Sequence, residues 1–351
     1  MKGKPMTSSQ HSEYSPQSSI QKPIRWLITG GCGFIGRNLI KSLLAKGNHV
    51  IRIVDNLSVG TRKGLSMVCS FVEVPPKALV TKDDKTNQLV IGDVLDKDLA
   101  MNAAHDVDVI VHLAANTGVA PSVENPRMDC EVNVQGTLNY LEAARHNKVN
   151  RFIFASSGSP VGECQPPIHE EMPAHPVSPY GASKLAGEGY CSAYFRTFGV
   201  ETVALRFGNV YGPLSSHKSS VVAKFIRRAM EGENLEVYGD GSQTRDFIYA
   251  DDLVNAITLA TEKANVGGEI FQIATSNETT ISEIAQLICL EFEKRNIAKV
   301  RTIFAEPRKG DVKKNFSDTT KANEKLGWIP EKNLSEGLLI TLDWFMEQNI
   351  L

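Results

Sequence analysis

Tyr180 and Lys184 stand four residues apart in Ser178-Pro179-Tyr180-Gly181-Ala182-Ser183-Lys184. On a helix that spacing puts both side chains on one face. A free tyrosine has a pKa of about 10, too high for a good base near neutrality. Nearby positive charge favours the phenolate and lowers that pKa. Tyr180 is then able to take a proton from a sugar or alcohol hydroxyl while hydride leaves the same carbon. Phe154-Ala155-Ser156-Ser157-Gly158-Ser159 ends an apolar run with hydroxyls that can reach a substrate oxygen and Tyr180 together. Tyr-x-x-x-Lys by itself is common on amphipathic helices, so its weight depends on what accompanies it.

What accompanies it is a place for a hydride acceptor. Thr29-Gly30-Gly31-Cys32-Gly33-Phe34-Ile35-Gly36 follows the apolar run Trp26-Leu27-Ile28 and leads into helical spacing at Leu39, Ile40, Leu43 and Leu44. A strand, a glycine turn and a helix N-terminus form an anion cradle whose free N–H groups suit a pyrophosphate. Asp55 ends the next apolar run, at about the ~20-residue distance where a carboxylate meets an adenosine ribose. It would repel a 2′-phosphate, which favours NAD over NADP.

These residues need elements to hold them. Short apolar runs at 49–54, 89–91, 108–113, 151–155 and 202–206 alternate with helical patterns, the longest at 128–146 and 180–198. This predicts an α/β fold with a doubly wound, Rossmann-type parallel sheet. Residues 1–23, rich in Ser, Gln and Lys, read as a disordered tail. Residues 24–207 are expected to be mainly the NAD-binding domain. Residues 208–351 are expected to be mainly a smaller substrate lobe, with interleaved boundaries. Residues 65–88, with Pro75-Pro76 and the charge run Lys82-Asp83-Asp84-Lys85, read as a surface insertion, with a hairpin as one form.

Composition excludes several classes. The chain is 42% hydrophobic and 22% charged with a formal net charge of -2, which leaves no basic footprint for nucleic acid or an acidic membrane. No stretch approaches the ~18–20 apolar residues of a membrane span, and the first residues lack the apolar core of a signal peptide. Cys32, Cys69, Cys130, Cys164, Cys191 and Cys289 are scattered without metal-ligand spacing. They read as reduced, mostly buried thiols of a cytoplasmic protein.

Taken together the motifs resemble the extended short-chain dehydrogenase/reductase family, specifically its nucleotide-sugar epimerases and dehydratases. The resemblance rests on TGGCGFIG from Thr29, HLAA from His112, NVQGTLNYLEAA from Asn133, SPYGASK from Ser178, RFGNVYGP from Arg206, YGDGSQTRDFIYADD from Tyr238 and EPRKGD from Glu306. It implies NAD as cofactor, held by Gly30, Gly33, Phe34, Ile35, Gly36, Asp55, Asn56, Asp93, Val94, Ala114, Ala115, Asn133, Tyr180 and Lys184. It implies Ser157, Tyr180 and Lys184 as catalytic residues. It places the substrate against Ser157, Gly158, Ser159, Tyr180, Asn209, Tyr238, Arg245, Arg308 and Asn315. It also implies a homodimer built from the helices at 128–146 and 180–198.

Within that family the two residues after Ser157 discriminate. The 4,6-dehydratases carry Asp-Glu there, and UDP-glucuronate decarboxylases a Glu at the second position; here they are Gly158 and Ser159. The expectation is therefore a 4-epimerase acting on a nucleotide-sugar, a UDP-hexose or UDP-N-acetylhexosamine. A decarboxylase or dehydratase with relocated acid/base residues, and a non-catalytic binding protein, are the alternatives. Pro160-Val161-Gly162 departs from the family's usual Val-Tyr-Gly, which points to a different sugar pocket. Asn315 stands where 4-epimerases set the room for a C2 substituent.

Overall fold

The computed structural model describes residues 22–78, 85–297, 299–307 and 313–349. The expected tail and Arg308 lie outside the described residues, apart from the tail's last two positions. The first half alternates as the apolar runs predict: β1 (Ile24–Thr29), α1 (Phe34–Lys46), β2 (His49–Asp55), α2 (Arg62–Ser66), β3 (Val72–Glu73), β4 (Gln88–Ile91), α3 (Lys97–Ala103) and β5 (Val109–His112). Then come α4 (Val119–Glu124), α5 (Pro126–Cys130), α6 (Gly136–Asn147), β6 (Arg151–Ser157), α7 (Pro179–Phe198) and β7 (Thr202–Phe207).

These strands, with β12 (Glu269–Ile273) from the second half of the chain, form one parallel sheet in the order β12-β7-β6-β5-β1-β2-β4-β3. The order reverses at β1, with β5 on one side and β2 on the other, and an open α/β sheet binds ligands outside the C-terminal ends of its strands at such a point. The central strands are buried on both faces, as continuous apolar runs require. Cores lie on both sides: Ile28, Leu39, Ile53 and Ile153 on one, Leu27, Val54, Ile110 and Phe152 on the other.

Three details depart from the sequence reading. The insertion at 65–88 is no hairpin among the described residues, because β3 pairs parallel with β4 as the sheet's edge. The long helical pattern at 128–146 is broken: α5 passes through a π turn at Glu131–Gln135 before α6. Of the six thiols, Cys32, Cys69 and Cys191 are buried, while Cys130 is exposed and Cys164 and Cys289 are half-buried.

After Gly208 the elements shorten: β8 (Asn209–Tyr211), α8 (Val221–Met230), β9 (Leu235–Tyr238), β10 (Thr244–Arg245), β11 (Phe247–Tyr249) and α9 (Ala250–Glu262). They continue with β12 (Glu269–Ile273), β13 (Thr279–Thr280), α10 (Ile281–Lys294), β14 (Thr302–Ala305), α11 (Thr320–Leu326) and α12 (Leu334–Asn349). Most of these build a third core around Phe225, Val237, Ile284 and Phe292. However, β12 returns to pair with β7, and α9 packs beside α1, so the two halves are interleaved.

Candidate active site

The glycine turn is dictated by space. Gly30 adopts φ +67°, and a Cβ there would lie 2.9 Å from the Ala114 backbone. At Gly36 a Cβ would lie 2.5 Å from Gly31 Cα and 2.7 Å from Gly30 O, so α1 packs on the turn only without a side chain. The helix begins at Gly33 with no side-chain cap and no acidic residue in its first turn. Its first N–H groups therefore keep their capacity for an anion.

Asp55, 8% exposed, accepts from Cys32 N at 2.9 Å and from Leu57 N at 2.8 Å. Burial pushes its carboxyl above the usual range, and those two N–H donors pull it back. Asn56 donates to Asp93 Oδ2 at 2.9 Å, which ties the ends of β2 and β4 together.

One cavity of about 820 Å³ runs from this turn into the second half of the chain. Its wall includes Gly30, Gly33, Phe34, Ile35, Gly36, Asp55, Asn56, Asp93, Val94, Ala114 and Ala115, and beyond them Ser157, Tyr180 and Lys184. The uncapped helix start, the close backbone approach at Gly36 and the carboxylate at Asp55 fit a dinucleotide: pyrophosphate at the helix, ribose at the acid.

The chemistry-bearing side chains come from two elements. Ser157 ends β6 and donates to Ser159 Oγ at 3.1 Å while accepting from Ser159 N at 3.2 Å. Tyr180 and Lys184 share a face of α7, which Ser178 caps through Gly181 N. Lys184 Nζ donates to Ala155 O at 2.8 Å and sits 4.9 Å from the Phe154 ring centroid and 5.9 Å from that of Tyr180. Burial lowers the Lys184 ammonium to about 8.

The expectation that the surroundings lower the Tyr180 pKa does not hold for the protein alone. Burial pushes the phenol up to about 12; the Ser157 hydroxyl opposes this and Asp129 adds to it. Desolvation of the phenolate outweighs the hydroxyl's help.

A buried ion pair docks α7 on the sheet. Glu188 takes both Arg206 Nε and Nη2 at 2.8 Å and accepts from Ser156 Oγ at 2.6 Å. Glu188 is 2% exposed and Arg206 3%. The bond network joins β6, α7 and β7 one residue behind Ser157.

The other expected residues divide. Asn209, Tyr238 and Arg245 line the cavity. Gly158, Ser159 and Asn315 do not; Ser159 holds Ser157, and Asn315 N donates to Thr244 Oγ1 next to Arg245. Asn133, 1% exposed, also stands behind the wall. From the π turn its amide donates to Asn116 O, Asp129 Oδ1 and Ser183 Oγ and accepts from Asn116 N, so it braces a loop residue that is in the wall.

Sequence reasoning missed Lys218, Lys224, Glu236 and Gln243, which line the far end. Lys224 and the Tyr238 hydroxyl both reach Glu236, at 3.5 and 2.8 Å. The alternation of LEVYGDG alone marks a strand, not a charge pair with α8.

Comparison with known proteins agrees with this geometry. Residues 26–274 match the model of the NAD dependent epimerase/dehydratase family. The chain belongs to that family. A Methanocaldococcus jannaschii protein named "Putative UDP-glucose 4-epimerase" is 38% identical over 328 residues, 92% of this chain and 99% of the relative. The Thermotoga maritima UDP-glucose 4-epimerase solved with UDP-glucose is 35% identical, with a TM-score of 0.81 over 93% of this chain and 100% of that one. A Bacillus cytotoxicus UDP-N-acetyl-alpha-D-glucosaminuronate decarboxylase is 33% identical over 333 residues, 92% of this chain and 98% of the relative. Family membership makes NAD the cofactor. Family membership leaves the reaction open, since relatives of both kinds share the fold.

Proposed function

We propose that the protein is a nucleotide-sugar 4-epimerase, inverting C4 of a UDP-hexose or UDP-N-acetylhexosamine. The carrying observation is a missing acid. Among the described residues lining the cavity the carboxylates are Asp55, Asp93 and Glu236. Asp55 and Asp93 belong to the cofactor end, and Glu236 is engaged by Lys224 and Tyr238. None stands beside Ser157 and Tyr180 to take or give the proton that elimination requires. Epimerisation needs only one base, one oxygen-holding hydroxyl and a reversible hydride acceptor.

NAD, when bound, supplies that acceptor. Tyr180 takes the C4 hydroxyl proton and gives it back after the sugar has presented its other face. Ser157, held by Ser159, hydrogen-bonds the C4 oxygen through the ketone stage. Lys184 holds the nicotinamide-side ribose and keeps positive charge near the phenolate. Asp55 holds the adenosine ribose. Arg245, Lys218 and Lys224 put positive charge at the far end, which suits a diphosphate.

Incubating the purified protein with UDP-, GDP-, CDP- and dTDP-sugars and separating the products tests the reading. A C4-inverted sugar nucleotide is the expected product. Carbon dioxide or a stable 4-keto-6-deoxy sugar would sink it.

A further inference from the structure

Behind Lys184 stands a charged group that the reaction as described does not use. Asp129 lies in the last turn of α5 and is 1% exposed. Its Oδ1 accepts from Asn133 Nδ2 at 2.9 Å, whereas Oδ2 has no hydrogen-bond partner among the described residues. A buried carboxylate with an unsatisfied oxygen is costly unless positive charge lies close by. Asn133 connects it to Ser183, the residue before Lys184, at 3.1 Å.

Lys184 is 4% exposed and stands one turn after Tyr180 on α7, with Glu188 one turn further on. The titratable groups around it are Asp129 from α5, Glu188 and Cys191 from its own helix, Tyr180 one turn back and His112 from β5. Glu188 is spent on Arg206. His112 is held neutral by burial, and burial holds the Cys191 thiol protonated. That leaves Asp129 as the anion not already committed to a cation.

We propose that Asp129 is a positioning residue whose buried negative charge holds Lys184 protonated beside Tyr180. Consistent with this, Asp129 is first among the groups that raise the Lys184 pKa against burial, and it pushes the Tyr180 pKa upward. The inference rests on Tyr180 and Lys184 being the working pair, and not on which sugar is the substrate.

Asp129→Asn in the full chain tests it, because the amide keeps an acceptor for Asn133 and removes the charge. The first readout is the Lys184 13Cε NMR titration in the cofactor-free protein, with the signal assigned by its loss in Lys184→Arg. The expected result is a midpoint about one pH unit below that of the unaltered protein, with Asp129→Glu restoring it. In turnover, both limbs of the pH–rate profile move to lower pH. A folded Asp129→Asn protein with an unmoved Lys184 midpoint overturns the proposal and leaves Asp129 a packing residue. Should that variant not fold, Asp129→Ser removes the same charge with a smaller side chain and is read by the same two outcomes. Because the titration uses no substrate, it stands or falls apart from the epimerase reading.

Discussion

In the proposed reaction Tyr180 must lose a proton in a place that opposes its loss. Burial holds the phenol near 12 in the protein alone, so positive charge has to arrive with the cofactor. Tyr180→Phe removes the proton acceptor without changing the cavity's shape. Its turnover is expected to fall by at least ~100-fold, the usual contribution of a positioned base. The NAD released on denaturation should stay the same. Equal turnover in the variant would remove Tyr180 from the chemistry. Ser157 is expected to cost about 10²–10³-fold in turnover when changed to Ala, as for loss of one oxyanion donor. Ser159→Ala removes the Oγ that accepts from Ser157 and keeps the backbone N–H that donates to it, so a smaller loss in the same product assay is expected.

Two elements carry the site, and each has a weak point that can be probed. At the start of α1, Gly36→Ala would place a methyl 2.5 Å from Gly31 Cα. Backbone cannot move aside there as a side chain could, so the turn must open and the cradle is lost. The expected outcome is protein purified with little or no NAD, measured by absorbance after denaturation; full occupancy would contradict the cradle. Midway along α7, Glu188→Gln leaves the Arg206 guanidinium buried with half its partner. Breaking such a pair costs about 3–5 kcal/mol because the remaining charge is uncompensated. Urea unfolding should show that loss, and activity should fall with it, since the pair aligns α7 with the end of β6. A loss under about 1 kcal/mol would mean that Arg206 finds another partner.

At the scale of the whole molecule, the central sheet encloses a histidine in its core. His112 is 1% exposed, hydrogen-bonds Thr29 Oγ1 through Nδ1 at 2.9 Å and lies against the Tyr140, Phe152 and Phe154 rings. Burial lowers its pKa from 6.5 to about 3, so it is neutral in the folded state while the unfolded chain takes a proton below 6.5. The unfolded state then binds more protons, and stability is full above about pH 6.5 and falls as pH drops toward 3. The slope from this one group is at most about 1.4 kcal/mol per pH unit. Urea unfolding between pH 4 and 7 should show it, with a shallower slope in His112→Gln; equal slopes would assign acid sensitivity elsewhere. The same scale includes assembly. Met128 on α5, and Tyr190 and Phe198 on α7, are exposed apolar side chains within the stretches 128–146 and 180–198. The homodimer implied by the family resemblance would cover them, and light scattering at twice the chain mass is the expected result.

No helix among the described residues is long and apolar enough to cross a membrane, in keeping with the composition. Much else was legible from residue order alone, for one physical reason: the information is local. The glycine turn is set by contacts between residues a few positions apart. Asp55 is set by the length of one strand-helix-strand unit, and the Tyr180–Lys184 face by the pitch of one helix. Strands buried on both faces announce themselves as apolar runs whatever their neighbours.

Only the tertiary structure decided what depends on meetings between distant segments. Strand β12 joins β7 at the sheet edge although its five residues carry no mark that separates them from the surrounding lobe. Asn133 turned out to brace Asn116 from behind the wall because a π turn rotates it there. Lys224 and Glu236 pair across α8 and β9, and Asn133 links Asp129 of α5 to Ser183 of α7. Spacing along the chain decides which chemistry the residues can perform; burial and the charges that packing brings together decide at what pH, and with which cofactor charge, Tyr180 can perform it.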